Sequence, residues 1–350
     1  MRWLLGIGLT LAVLAVLLLA LPAPIDPVSW TPDPNPGLTG PFAPNDKLSD
    51  VERLLEGAGT GPEDVACADD GTIFTGLDDG RILRIAPDGS FRELANTGGR
   101  PLGMALDSAG RLIVADAVRG LLAVTPQGEV QLLTDTVDGQ KILFADDVDV
   151  TDDGVIWFSD ASTQHGYQDS LLAFLEGRFT GRLLSFDPAT GETRVRMDGL
   201  FFANGVAAGP DDAYVLIDET ATGRIHRLWL KGEKAGQRDL FASGLPGTPD
   251  NISFNGRDTF WVAMPSQRAA LDSQAQSPWL RKLVSRLPPR VLAEGVSPYA
   301  FVVGIGLDGK VTANLQGKGE DFGMITSANE CNGKLYLGSV TENSLARYTF

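Results

Sequence analysis

From about residue 60 onward, apolar residues come in short runs, arranged in pairs split by a Gly, Asp or Asn turn. Asp69-Asp70-Gly71 precedes Thr72-Ile73-Phe74, Ala109-Gly110 precedes Leu112-Ile113-Val114, and Asp152-Asp153-Gly154 precedes Ile156-Trp157-Phe158. Pro210-Asp211-Asp212 precedes Tyr214-Val215-Leu216, Asn255-Gly256 precedes Phe260-Trp261-Val262, and Cys331-Asn332-Gly333 precedes Leu335-Tyr336-Leu337. Asp-Gly and Asn-Gly between apolar runs specify β-hairpins. A third strand often follows, as in Gly80-Arg81-Ile82-Leu83-Arg84-Ile85 and Gly223-Arg224-Ile225-His226-Arg227-Leu228. Helical periodicity is scarce. The unit recurs six times at a spacing of roughly 40–60 residues, with one longer gap at 264–300. Four-stranded units of that length, closed radially, make a β-propeller. The expectation is an all-β, six-bladed propeller over residues 49–350. A β-sandwich would not account for so regular a repeat.

One offset in this repeat carries chemistry. Just ahead of the first strand of a unit stand Glu63 (in Pro62-Glu63-Asp64-Val65), Asp146 (in Ala145-Asp146-Asp147-Val148), Asn204 (in Ala203-Asn204-Gly205-Val206), and Asp250 with Asn251 (in Pro249-Asp250-Asn251-Ile252). In a propeller the innermost strands line a central channel, so these positions meet at its mouth. All offer oxygen and none offers sulfur or imidazole, which suits Ca2+ ahead of Mg2+ or Mn2+. Clustered carboxylates without a cation repel one another. Asp and Asn also serve turns, but four blades sharing one offset favour a ligand set. Asp250 and Asp146 are the candidates to activate water. His165, after Ser159-Asp160-Ala161-Ser162-Thr163 at a blade edge, is a third catalytic candidate; His226 reads as structural. No Gly-x-Ser-x-Gly elbow, Cys-x-x-Cys, His-Glu-x-x-His or phosphate-binding glycine loop is present.

Composition narrows the class. The 350-residue chain has a formal net charge of −16, which argues against nucleic acid as a partner. Residues 3–22 are almost entirely apolar, long enough to cross a bilayer as a helix. A cleaved signal peptide and an uncleaved anchor are the alternatives; the weak cleavage motif around Leu21-Pro22-Ala23 favours the anchor. Residues 1–24 are therefore expected to be a transmembrane anchor or signal segment, and the Pro-, Asp- and Asn-rich 25–48 an extended tether. The propeller would lie outside the cytoplasm, in a periplasmic or other extracytoplasmic space, and would be secreted if the segment is cleaved. Cys67 and Cys331 fall in the first and last repeats, neighbours in a closed ring; a disulfide and two separate buried thiols both remain open. Within the long gap, Ser277 to Leu287 reads as a basic amphipathic helix, capping the channel or resting on a membrane.

Several motifs carry a resemblance: Gly181-Arg182-Leu183-Leu184 with Asp187-Pro188, Asn204-Gly205-Val206, Glu219-Thr220, Trp229-Leu230-Lys231-Gly232, and Leu245-Pro246-Gly247-Thr248-Pro249-Asp250-Asn251-Ile252. Through them Gly61 to Phe350 resembles the strictosidine synthase-like family, which includes the adipocyte plasma membrane-associated proteins. More distantly it is similar to paraoxonases and to the gluconolactonase/regucalcin group. The resemblance implies a six-bladed propeller with a catalytic calcium on Glu63, Asp146, Asn204, Asp250 and Asn251. Position 146 departs, being Asp where the paraoxonase pattern has Asn. A second, structural calcium would fall on Asp64 and Asp147. The paraoxonase histidine pair is replaced by Leu102 and Asp116, and Gly323 follows Phe322 where strictosidine synthases carry a Glu. The resemblance therefore implies neither a histidine dyad nor amine–aldehyde condensation. It implies a calcium-dependent hydrolase of small lactones or aryl esters, with a membrane-anchored binding propeller holding a structural metal as the alternative.

Overall fold

The computed structural model describes residues 22–350 together with Gly6 and Val13. Each of the six repeats forms a four-stranded antiparallel sheet, as the pattern predicts. The innermost strands are Ala66–Cys67, Pro101–Leu106, Ala145–Val150, Ala203–Ala208, Ile252–Phe254 and Ile325–Cys331, and successive ones are neighbours around the ring. The sixth sheet is composite. Its outermost strand, Glu52–Leu54, comes from the start of the propeller and pairs antiparallel with Leu345–Thr349. Arg347 grips Glu52 across this closure at 2.6–2.9 Å.

The apolar runs are continuous because the middle strands are covered on both faces. All residues of Leu112–Asp116, Ile156–Asp160 and Ala300–Gly306 are buried, whereas the outer strand Glu192–Leu200 is mostly exposed or half-buried. The core lies between blades. Ile113 and Leu121 of the second blade pack with Ile156, Phe158 and Leu184 of the third. Leu216 and Ile225 of the fourth pack with Phe260, Val262 and Val303 of the fifth.

Cys67 and Cys331 form a disulfide with a Cα–Cα distance of 6.2 Å across a sequence separation of 264. It staples the first blade to the last, resolving the alternative left open by the sequence. In the chain-entropy picture a loop of this length is worth on the order of 5 kcal/mol. Reduction of the wild type is expected to lower its melting temperature, on the order of 10 °C. Cys331→Ser should start from the lowered value and respond no further to reductant, as calorimetry with and without dithiothreitol would read.

The expected membrane span lies outside the described residues apart from Gly6, Val13 and Pro22. Among the described residues no helix is long and apolar enough to cross a membrane. Residues 25–48 are mostly irregular, with a single 3-10 turn at Gly40–Phe42, yet Ile25, Trp30, Phe42 and Leu48 are buried against the propeller. The segment is a docked strap. Two insertions meet it, one holding helix α1 (Ser170–Glu176), the other α2 (Ala269–Gln274), α3 (Pro278–Val284) and α4 (Pro289–Glu294). Helix α3 is the expected basic helix, but Arg281 on it is fully buried. It donates to Leu175 O and Val28 O at 2.7 and 2.6 Å and lies 4.4 Å from the Trp30 ring centroid.

Candidate functional site at the channel mouth

The innermost strands begin at one end of the channel, and a register shift recurs at that level. It falls between Pro101 and Met104, Ala145 and Val148, Ala203 and Val206, and Ile325 and Ser327. Such bulges re-aim side chains away from the sheet, which frees Asp146 and Asn204 from the alternation of their strands. Gly205 allows the next blade to close in: a Cβ there would sit 2.4 Å from Asp250 O and 2.5 Å from Ile252 N. The backbone completes the seam, with Gly205 N donating to Asp250 O at 3.0 Å and Asn251 N to Thr326 O at 2.9 Å.

Four of the five expected site residues are linked directly. Asn204 Nδ2 donates to Asp250 Oδ1 at 2.7 Å, and Asn251 Nδ2 donates to the Glu63 carboxylate at 3.2 and 3.3 Å. The amide oxygens of both asparagines, Asn204 Oδ1 and Asn251 Oδ1, are buried without a hydrogen-bond partner. Asp146 joins them through its charge. Burial, then the charge of Asp250, pushes the Asp146 carboxyl well above the usual carboxylate range, with Arg100 opposing. Burial likewise holds Glu63 well above that range, reinforced by Asp250, Asp64 and Asp146. Burial raises Asp250 to about 7, against the hydrogen bond from Asn204. Asp250 keeps some solvent contact although it is deeply enclosed by protein.

Two further groups belong to this centre. Asp218, on the strand Tyr214–Glu219, is fully buried with neither carboxylate oxygen partnered. Burial and then Asp250 drive its carboxyl well upward. Arg100 immediately precedes the innermost strand of the second blade, Pro101–Leu106. Its Nη1 donates to Gly61 O at 2.9 Å, and its charge opposes the upward shifts of Glu63 and Asp146. Asp218 extends an otherwise apolar run, and a charge in that place was the available signal. Nothing local marks Arg100.

The remaining candidates are engaged elsewhere. Asp64 accepts from Met104 N and Asn329 Nδ2, both at 2.9 Å; Asp147 accepts from Val148 N at 2.8 Å and Val206 N at 2.7 Å. These acids clamp N–H groups of neighbouring innermost strands, at Met104 and Val206. His165 Nε2 is 2.7 Å from Glu176 Oε2 at the end of α1, and His226 Nε2 is 2.7 Å from Glu219 Oε2. Neither histidine hydrogen-bonds to the channel carboxylates.

Among the described residues no three His, Cys, Asp or Glu side chains converge into a ready metal centre. The asparagine oxygens are the decisive donors. Two unpartnered amide oxygens among mutually repelling carboxylates match the ligand chemistry of a hard cation such as calcium.

Residues 146–233 match the strictosidine synthase family, and residues 40–85 match the N-terminal region of strictosidine synthase-like proteins. The adipocyte plasma membrane-associated protein of Gallus gallus is 37% identical over 352 residues, covering 93% of this chain and 84% of that protein. The chain belongs to the strictosidine synthase-like family. Within this strictosidine synthase-like chain the matched regions carry Glu63, Asp146 and Asn204, while Asp250 and Asn251 lie beyond them. A gluconolactonase of Xanthomonas campestris superposes with a TM-score of 0.62 at 18% identity, covering 93% of this chain and 96% of the other. Regucalcin of Agrobacterium tumefaciens, a calcium-binding protein, gives 0.59 at 13% identity, covering 85% and 92%. At these identities the likeness establishes the shared propeller fold.

Proposed function

We propose that this protein is a calcium-dependent hydrolase of lactones or aryl esters, working at the channel mouth. The observation that carries the reading is the pair of buried, unpartnered amide oxygens of Asn204 and Asn251 beside Glu63, Asp146 and Asp250. The occurrence of a gluconolactonase and a calcium-binding regucalcin on the same fold supports it.

Glu63, Asp146, Asn204, Asp250 and Asn251 would hold the ion. Bound there, calcium supplies Lewis-acid polarisation of the substrate carbonyl. Asp250 is the base. Asn204 fixes its Oδ1, leaving Oδ2 to take a proton from water. Arg100 limits the repulsion among Glu63 and Asp146. His165 secures an insertion through Glu176 and takes no proton in this scheme. The relative named for the adipocyte plasma membrane supports a second element of the reading, anchorage through the apolar residues 3–22 with the propeller outside the cytoplasm.

The test is steady-state hydrolysis of phenyl acetate and a lactone panel by the full-length protein in calcium. Turnover by the wild type, retained in His165→Ala and lost in Asn204→Ala, is the expected result. Full turnover in Asn204→Ala would overturn the assignment. Asp146→Asn separates binding from repulsion. It keeps an oxygen ligand but removes a charge, so calcium affinity should fall about tenfold. The chelated protein should melt higher at neutral pH, because burial and Asp250 oppose the charged form of Asp146 and the neutral amide escapes that penalty.

A further inference from the structure

We infer that the face of the propeller carrying the channel mouth lies against a lipid bilayer, so that the site opens toward the membrane surface. The inference rests on the proposed anchorage of residues 3–22 and adds to it which face the anchor presents.

Pairing fixes the face. Asp160 is opposite Ala145, Glu219 is opposite Ala203, and Asp250 N donates to Ala263 O at 2.9 Å. The segments following Asp160, Glu219 and Ala263 therefore leave their sheets at the level of the site. Those segments are the insertion holding α1, the turn leading to Arg224, and the insertion holding α2, α3 and α4.

The strap runs across these segments. Asp26 N donates to Glu176 Oε1 and Val28 N to Glu176 O, both at 2.9 Å, while Arg178 holds the Asp26 carboxylate at 2.8 Å. Trp30 packs edge-on against Phe201 with centroids 5.1 Å apart, and Arg281 covers its ring. Asp33 receives both Nε and Nη2 of Arg224 at 2.6 Å, and Asn35 donates to Asp272 at 3.1 Å. The chain then passes to the fifth blade, where Leu48 N donates to Gln316 O at 2.8 Å.

Geometry now constrains the membrane. The apolar stretch ends at Pro22, and Asp26 is already fixed beside α1 on the site face. Those few residues span at most about 14 Å fully extended. A bilayer holding residues 3–22 must therefore lie close to this face, and the opposite face is a propeller's thickness away. The insertions carry a surface suited to such a position. Trp279 is 58% exposed, and Phe179, Leu287 and Val291 are exposed on the same insertions. Apart from the buried Arg281, residues 277–299 contain Lys282, Arg286 and Arg290 against a single acid, Glu294, in a chain of net charge −16. An exposed tryptophan among aliphatic and basic residues is the composition of an interfacial surface.

The test uses the full-length protein reconstituted in phosphatidylcholine vesicles containing phosphatidylserine. An environment-sensitive maleimide probe is placed by Trp279→Cys on the site face or by Gln127→Cys, in the exposed turn after the strand Gly120–Val124 on the far face. Val291→Cys serves as a second site-face position. Spin-labelled lipid should quench the probes at 279 and 291 at least about threefold more than the probe at 127, and aqueous iodide should show the reverse order. Probes at 279 and 127 equally open to iodide, on protein that floats with the vesicles, would overturn the orientation while leaving anchorage intact. Site-face probes shielded from both quenchers would assign the surface to a second copy of the chain and also overturn it. Protein that fails to float would remove the anchorage and the orientation together.

Discussion

Asp250→Asn is expected to lower kcat/KM about 10^3-fold while leaving the propeller folded. Loss of a positioned base removes about 10^2–10^4 of rate. The replacement is nearly isosteric, and its amide oxygen can still accept the 2.7 Å hydrogen bond from Asn204 Nδ2. The backbone contacts of residue 250, its carbonyl to Gly205 N and its N–H to Ala263 O, are untouched. Removing the charge also relieves the groups it opposes, since Asp250 contributes to the raised positions of Glu63, Asp146 and Asp218. The variant should therefore be inactive and, in chelator, more heat-stable than the wild type. An inactive protein that is also destabilised would point to a structural role for Asp250. A variant retaining more than about a tenth of wild-type turnover would contradict the assignment of the base.

Chelated wild-type protein should become less stable as pH rises from 5 to 8, and calcium should reverse this. Burial raises Asp149 from 3.8 to about 6 and Asp250 from 3.8 to about 7. Both hold their protons in the folded protein to a higher pH than in the unfolded chain. The folded state thus binds more protons between about 4 and about 7, and stability present below that window is lost as pH climbs through it. Glu63, Asp146, Asp147 and Asp218 shift in the same direction. In EDTA the melting temperature at pH 5 should exceed that at pH 8 on the order of 5 °C. Millimolar calcium competes with the protons for the same oxygens, so its binding should release protons and raise the pH 8 value most. A chelated protein that gains stability between pH 5 and 8 would contradict the electrostatic account of the channel.

The blades were legible in the sequence because strands buried on both faces read as unbroken apolar runs, each bracketed by a turn. Leu112–Asp116 and Ile156–Asp160 show it plainly. Glu63, Asp146, Asn204, Asp250 and Asn251 were legible because a radial repeat turns one sequence offset into one place in space. What escaped has no period. Arg100 reaches the site across blades, so no spacing announces it. Asp218 hides at the end of Tyr214-Val215-Leu216-Ile217. The strap's anchors, Ile25, Trp30 and Phe42, are scattered through a proline-rich segment that reads as a loose tether. Nothing in the sequence marks Arg268 as buried, and Arg281 lies in the stretch that reads as a basic amphipathic helix. Both side chains are fully buried, and backbone carbonyls, including Leu245 O for Arg268 and Leu175 O for Arg281, accept their N–H groups.

The most direct test of calcium-dependent hydrolysis at this mouth is the initial rate of the full-length protein on its best lactone or aryl ester substrate, measured against buffered free calcium. The account predicts negligible turnover in EDTA, saturable recovery on adding calcium, and no recovery at any concentration in Asp250→Asn. Turnover that is unchanged across the calcium series, or that Asp250→Asn shares with the wild type, would contradict it.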